Sequence, residues 1–155
     1  MVSLSAVLGA LTMVLNGWHS DRSGERHLHT AVPLALMAGA FLAMGVSTAP
    51  WVVVPAYVVT FVCFSAVQGA FWLIPSDVLH GRSAAVGVAA IGSIGMIGSF
   101  VGPYAWGVTK DLTGDYQVGL LSLTLTHLVA AMIVLGVRYV ARSNRAGSPV
   151  LATTP

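Results

Sequence analysis

The densest concentration of reactive side chains in this sequence is the run Trp18-His19-Ser20-Asp21-Arg22-Ser23-Gly24-Glu25-Arg26-His27-Leu28-His29. Asp21, Arg22, Glu25 and Arg26 can form a network of ion pairs in which Asp21 meets a helix N-terminus or an arginine and holds one end of the molecule shut in one state. The same residues also fit an ordinary short solvated loop, where exposed pairs are worth about 0–1 kcal/mol. His19, Asp21, His27 and His29 have donor atoms, but they are spread along the run without a regular ligand spacing, so no metal site is expected.

A second group lies in an uncharged tract. Phe61, Ser65, Gln68 and Trp72 recur at i, i+4, i+7 and i+11, which places them on one face of a helix. An amide, a hydroxyl and two aromatics in an apolar helix suit a water-filled cavity for a solute with hydrogen-bonding groups, and Ser93 is a further candidate for its lining. They equally suit hydrogen bonding and aromatic filling between helices. His127 sits in another apolar stretch, where it can relay protons or simply bond across a helix interface. No Ser-His-Asp order, P-loop or dinucleotide fingerprint occurs, which points away from an enzyme and names no cofactor.

The elements that must position these groups are membrane helices. Hydrophobic residues make up 56% of the 155 and charged residues 8%, with a mean hydropathy of +0.84, whereas a soluble surface needs roughly a quarter charged. The net charge of +2 forms no dense basic patch, so nucleic acid is not an expected partner. Cys63, the single cysteine, excludes an intrachain disulfide and reads as a packing residue.

Between Arg26 and Asp77 there is no charge at all, a tract that would be roughly 70 Å long as one helix and must hold two spans. Ser47-Thr48-Ala49-Pro50-Trp51 supplies the break. The expected fold is an all-α polytopic membrane bundle in residues 1–139, with five spans at about 2–19, 30–47, 51–79, 83–108 and 116–138. The third is expected to continue past Pro75 with a kink, Lys110–Asp115 to form a loop with Asp115 as N-cap, and residues 140–155 to be a disordered tail. Arg22, Arg26, Arg82, Arg138, Arg142 and Arg145 then fall on one side and Lys110 on the other, so that the first side and the C-terminus are expected in the cytoplasm. Gly87, Gly95, Gly98 and Gly102 share an arc of about 80° on the fourth span, and Pro103 bends its outer end. A stripe of that kind serves a helix that rocks or one that is statically packed.

Two stretches carry a family resemblance. The segment from Gly17 through Asp21, Arg22, Gly24, Glu25 and Arg26 to His29 resembles the cytoplasmic loop between helices eight and nine of major facilitator superfamily transporters, in the anion:cation symporter branch. Phe71-Trp72-Leu73-Ile74-Pro75, Gly81, Ala84-Ala85-Val86-Gly87 and Ile94-Gly95 through Phe100-Val101-Gly102-Pro103-Tyr104 resemble its helices ten and eleven. His27 departs from the usual second arginine, and Gly92 and Met96 from frequent asparagines. The resemblance implies helices eight to twelve of a carrier in a bacterial inner membrane, taking up a small organic anion by alternating access, with the proton as coupling ion. It further implies that an N-terminal half is missing, and that the coupling carboxylate lies there, because no acid sits deep in a span. A nontransporting membrane subunit, or a truncated remnant of a carrier, is the alternative.

Overall fold

The computed structural model describes residues 2–75, 79 and 81–147, without the side chains of residues 2, 4 and 144–147. The described residues form five helices and no strand: α1 (Val2–Ser23), α2 (Arg26–Val46), α3 (Pro50–Phe71), α4 (Arg82–Thr113) and α5 (Gln117–Gly147). Four of them, α2, α3, α4 and α5 over Gln117–Ser143, are long and apolar enough to cross a membrane. The 22 residues of α1 extend about 33 Å. This is the all-α membrane bundle that the uncharged tracts call for.

The connections follow from local chemistry. Gly24 ends α1 with φ +66°, and its N–H donates to the Ser20 carbonyl at 2.9 Å, a helix stop that favours glycine. Ser47 and Ala49 are extended, and Pro50 opens α3 at a position where no donor is needed. Gly114, at φ +82°, closes α4, and Asp115 Oδ1 accepts the Gln117 N–H at 2.6 Å as an N-cap.

Several boundaries differ from expectation. The polar run after Trp18 is nearly all helix, since α1 reaches Ser23 and α2 already starts at Arg26. α3 ends at Phe71, where Pro75 has no N–H for the Phe71 carbonyl and its ring crowds it; Ile74 and Pro75 are helical again and the Leu79 N–H donates to the Pro75 carbonyl at 2.9 Å, while residues 76–78 of the expected continuation lie outside the described residues. The Leu73 N–H turns back to Ala70 at 3.3 Å instead. Lys110–Thr113, expected as loop, is the last turn of α4. Residues 140–147, assigned to a disordered tail, continue α5. Arg138 and Arg142 are tied there to Glu25, which gives this polar helix end a fixed neighbour. The rest of that tail, from residue 148, lies outside the described residues.

α2 occupies the middle, with α3 on one flank and α5 on the other; α1 packs on α3, and α4 lies against α5. The buried interior is built from small residues, among them Ala31, Ala38, Ala66, Ala70 and Cys63, which allow backbones to approach closely. Large apolar side chains such as Trp51, Ile94 and Phe100 point outward, the distribution that hydrocarbon surroundings permit.

One proline within α2 has a specific repair. Pro33 is buried in the helix and cannot donate to the carbonyl of His29, four residues earlier. Asn16 of α1 supplies the missing donor: its amide Nδ2 gives one bond to the His29 carbonyl at 3.0 Å and another to the Ala66 carbonyl of α3 at 2.8 Å. A single side chain thus joins α1, α2 and α3 at one depth.

Candidate functional site

The polar end of the bundle forms around the two-residue link Gly24-Glu25. Because α1 must stop at Gly24 and α2 begins at Arg26, Glu25 projects from the helix start toward the far end of α5. Its Oε2 accepts from Arg138 Nε at 3.0 Å and pairs with Arg138 Nη2 at 2.9 Å, and its Oε1 meets Arg142 Nη2. Arg138 and Arg142 are one turn apart on α5 and so share a face. Partial burial acts to raise the Glu25 pKa, but the hydrogen bonds and positive charges of Arg138 and Arg142 outweigh it and hold the carboxyl below its ordinary value.

The neighbouring groups fill in around this pair. Arg26 Nη2 lies 3.3 Å from Asp21 Oδ1, and the Arg22 guanidinium stacks 5.6 Å from the Trp18 ring. His29 Nδ1 lies 2.8 Å from the Glu25 carbonyl and must therefore carry the proton. Its Nε2 is then left to accept from His19 Nδ1, 2.5 Å away. Among the described residues no three potential metal-ligating side chains gather.

Of the six loop candidates, Asp21 pairs with Arg26, Glu25 is held by Arg138 and Arg142, Arg22 stacks on Trp18, and Gly24 supplies the positive-φ helix stop. Gly17 does other work: its Cα lies at the α1–α3 crossing, 3.7 Å from where a Cβ on Gly69 would sit. Arg138 and Arg142 were missed as site residues. Their spacing of four was the available signal, but it names no partner 113 and 117 residues away.

The α3 stripe is divided. Phe61 and Ser65 face α1, where a Cβ on Gly9 would lie 2.5 Å from Ser65 Oγ and 3.3 Å from Phe61 Cε1. The Ser65 hydroxyl donates back to the Phe61 carbonyl at 3.0 Å. Gln68 Oε1 accepts the Trp72 indole N–H at 3.2 Å, and Gln68 also lines a cavity of about 360 Å³ with Leu34, Phe71, Ala130 and Val134. Ser93 is exposed on α4 and stands apart from this face.

The α4 glycines likewise lie apart. Gly95, Gly98 and Gly102 meet nothing within 4 Å of a notional Cβ among the described residues, whereas Gly87 faces Leu79. Close backbone approach between helices occurs instead at Gly69, one of several tight glycine contacts in the bundle, where a Cβ would stand 3.0 Å from the Met13 carbonyl. His127 Nδ1 lies 2.7 Å from the Leu123 carbonyl, and its ring is 4.9 Å from that of Phe41, so it bridges α5 and α2.

A second cavity of about 340 Å³ has His27, Phe71, Pro75, Leu79, Ile91 and Val137 in its wall. It gathers the start of α2, the end of α3 and the end of α5 with α4, at the same end of the bundle as the Glu25 cluster. Lys110, beside Tyr116 at 5.1 Å, is at the opposite end.

The chain is similar to proteins named as transporters. It is 37% identical over 134 residues to the "Putative tartrate transporter" of Agrobacterium vitis, covering 86% of this chain and 30% of that protein. It is 30% identical to the quinolone resistance transporter of Acinetobacter baumannii, over 84% of this chain and 30% of the relative. It is 29% identical to the inner membrane transport protein RhmT of Escherichia coli, over 77% of this chain and 28% of the relative. The chain therefore spans less than a third of the length of these curated relatives. No family model matches it, and no solved structure matches it.

Proposed function

We propose that this multi-pass membrane chain is the C-terminal part of a secondary carrier of the major facilitator superfamily, from the anion:cation symporter branch. Its five helices correspond to helices eight to twelve. In this account the cargo is a small organic anion, moved by alternating access with the proton as coupling ion, and the pathway is completed by an N-terminal half outside this chain. The arginine-rich end and the C-terminus face the cytoplasm of a bacterial inner membrane.

The observation that carries the proposal is the grip of Arg138 and Arg142 on Glu25, within the loop that resembles the family's cytoplasmic motif. A charged clamp between one loop and a distant helix end is a bistable contact that a rocking bundle can make and break. Asp21, Arg22 and Arg26 belong to the same latch. Gln68 and Trp72, beside the cavity between α2, α3 and α5, supply polar contacts to the solute, with Phe61, Ser65 and Ser93 as further candidates. The uncovered glycines of α4 provide a face for helix packing in the complete carrier.

The test is a chimera in which this chain replaces the matched segment of the Agrobacterium vitis relative, with labelled tartrate as probe. Saturable uptake that collapses when the proton gradient is dissipated is the expected result. A chimera that inserts normally yet takes up nothing contradicts it and favours the nontransporting subunit. Saturable uptake by proteoliposomes holding this chain alone contradicts the requirement for a second half.

A further inference from the structure

The α1–α2 hairpin brings together two imidazoles that stand ten residues apart in the sequence, a spacing that matches no ligand motif. His19 lies one turn before the end of α1, and His29 lies in the first turn of α2. Their ring centroids are 4.8 Å apart with the planes tilted by 50°, and on an exposed face His19 Nδ1 meets His29 Nε2 at 2.5 Å. Both rings are held from behind. His29 Nδ1 donates to the Glu25 carbonyl at 2.8 Å, so the lone pair of this ring stays on Nε2, on the side of His19. The Ser23 hydroxyl donates to the His19 carbonyl at 2.8 Å and the Asn16 amide to the His29 carbonyl at 3.0 Å, which steadies the backbone beneath each imidazole.

Two facing imidazole nitrogens, one of them on a ring whose other N–H is bound to a carbonyl, are the donor set of a borderline divalent metal. Imidazole suits Zn²⁺, Cu²⁺ and Ni²⁺, and a ligating histidine almost always gives its second ring N–H to a carbonyl, a carboxylate or water. Metal–nitrogen bonds of about 2.0–2.1 Å at a tetrahedral angle hold the two nitrogens about 3.3 Å apart, so the rings need part by only about 0.8 Å to admit an ion. His19 must change tautomer: the Nδ1 proton that it donates to His29 passes through water to its own Nε2, and both rings then bind as neutral ligands. The other donors of the run are engaged elsewhere. Asp21 pairs with Arg26, and His27 lines the cavity beside Phe71, which leaves the remaining coordination positions to water.

We propose that His19 and His29 chelate one divalent transition-metal ion, Zn²⁺ or Cu²⁺, between α1 and α2. The ion ties the two helices together on either side of the link that carries Glu25. The proposal rests on the α1–α2 hairpin and not on the chain being part of a carrier.

The test uses the full chain in detergent, free of any affinity tag and stripped with a chelator, and titrates it with Zn²⁺ and with Cu²⁺. One ion per chain is expected, Cu²⁺ more tightly than Zn²⁺, with a thermal midpoint that rises on Zn²⁺ addition and a Cu²⁺ electron paramagnetic resonance spectrum split by two imidazole nitrogens. Because losing even a group behind a ligand weakens metal binding about 10–100-fold, His19→Gln and His29→Gln should each weaken it about tenfold or more. His127→Gln, which alters an imidazole on α5 bonded to Leu123, should bind like the unaltered chain. Circular dichroism of the metal-free variants separates lost binding from lost folding, and the exposed His19 supplies the variant least able to disturb the helices. Undiminished binding in His19→Gln, a spectrum with a single nitrogen, or no Zn²⁺ binding by the unaltered chain would overturn the site while leaving the carrier reading untouched.

Discussion

Asn16 gives the His29 carbonyl the hydrogen bond that Pro33 cannot give, and in the same stroke binds the Ala66 carbonyl of α3. A proline inside a helix leaves a carbonyl without its usual backbone donor, and a side chain from a neighbouring helix is one way to satisfy it.

Replacing Asn16 with Ala strands one carbonyl and weakens the hold on a second, at a cost of about 1–3 kcal/mol. Pro33→Ala restores a backbone N–H in α2, so Asn16→Ala should cost about 1 kcal/mol less in that background. Denaturant unfolding of the four proteins in detergent measures the cycle. Strict additivity would show that Asn16 does not compensate for Pro33.

The Glu25 clamp has a definite pH signature. Its carboxyl is held below its ordinary value of about 4.5, so its contribution is fully present above that pH and lost as pH falls through the lower, folded-state value. The thermal midpoint of the unaltered chain should drop on acidification below about pH 4.5, and that drop should be smaller in Glu25→Gln. Arg138, the less exposed partner, should matter more than Arg142 when each is changed to Gln. Matching pH profiles for Glu25→Gln and the unaltered chain would contradict the clamp.

Glycines of similar spacing should behave in opposite ways. Gly69→Leu forces a side chain against the Met13 backbone and should cost about 1–3 kcal/mol or more. Gly95→Ala enters open space and should leave the isolated chain unchanged or stabilise it by up to about 1 kcal/mol. Unfolding midpoints compare the two directly.

The helical bundle was legible because it follows from composition. Uncharged tracts and the break before Pro50 fix helix number and order with little help from tertiary contacts. The ends of helices were less legible: whether Arg138 and Arg142 extend α5 depends on Glu25, more than a hundred residues away, and no local pattern encodes that. The polar loop candidates lie near one another because they are adjacent in sequence, but the partners of Glu25 are on α5. The α3 stripe did not stay one surface, since helical periodicity gives a shared face but not which neighbour covers it, and here Gly9 of α1 takes part of it. Asn16 was overlooked because its meaning depends on Pro33 in another helix.

Opposite exposure of the two ends of the bundle is the most direct test of the account. In a Cys63→Ala background, single cysteines at Ser23 and at Thr113 would be probed in intact cells with a membrane-impermeant maleimide. Thr113→Cys should react from outside, and Ser23→Cys only after the membrane is permeabilised. Reaction of both from the same side would contradict a helix bundle that crosses the bilayer with its arginines gathered at one face.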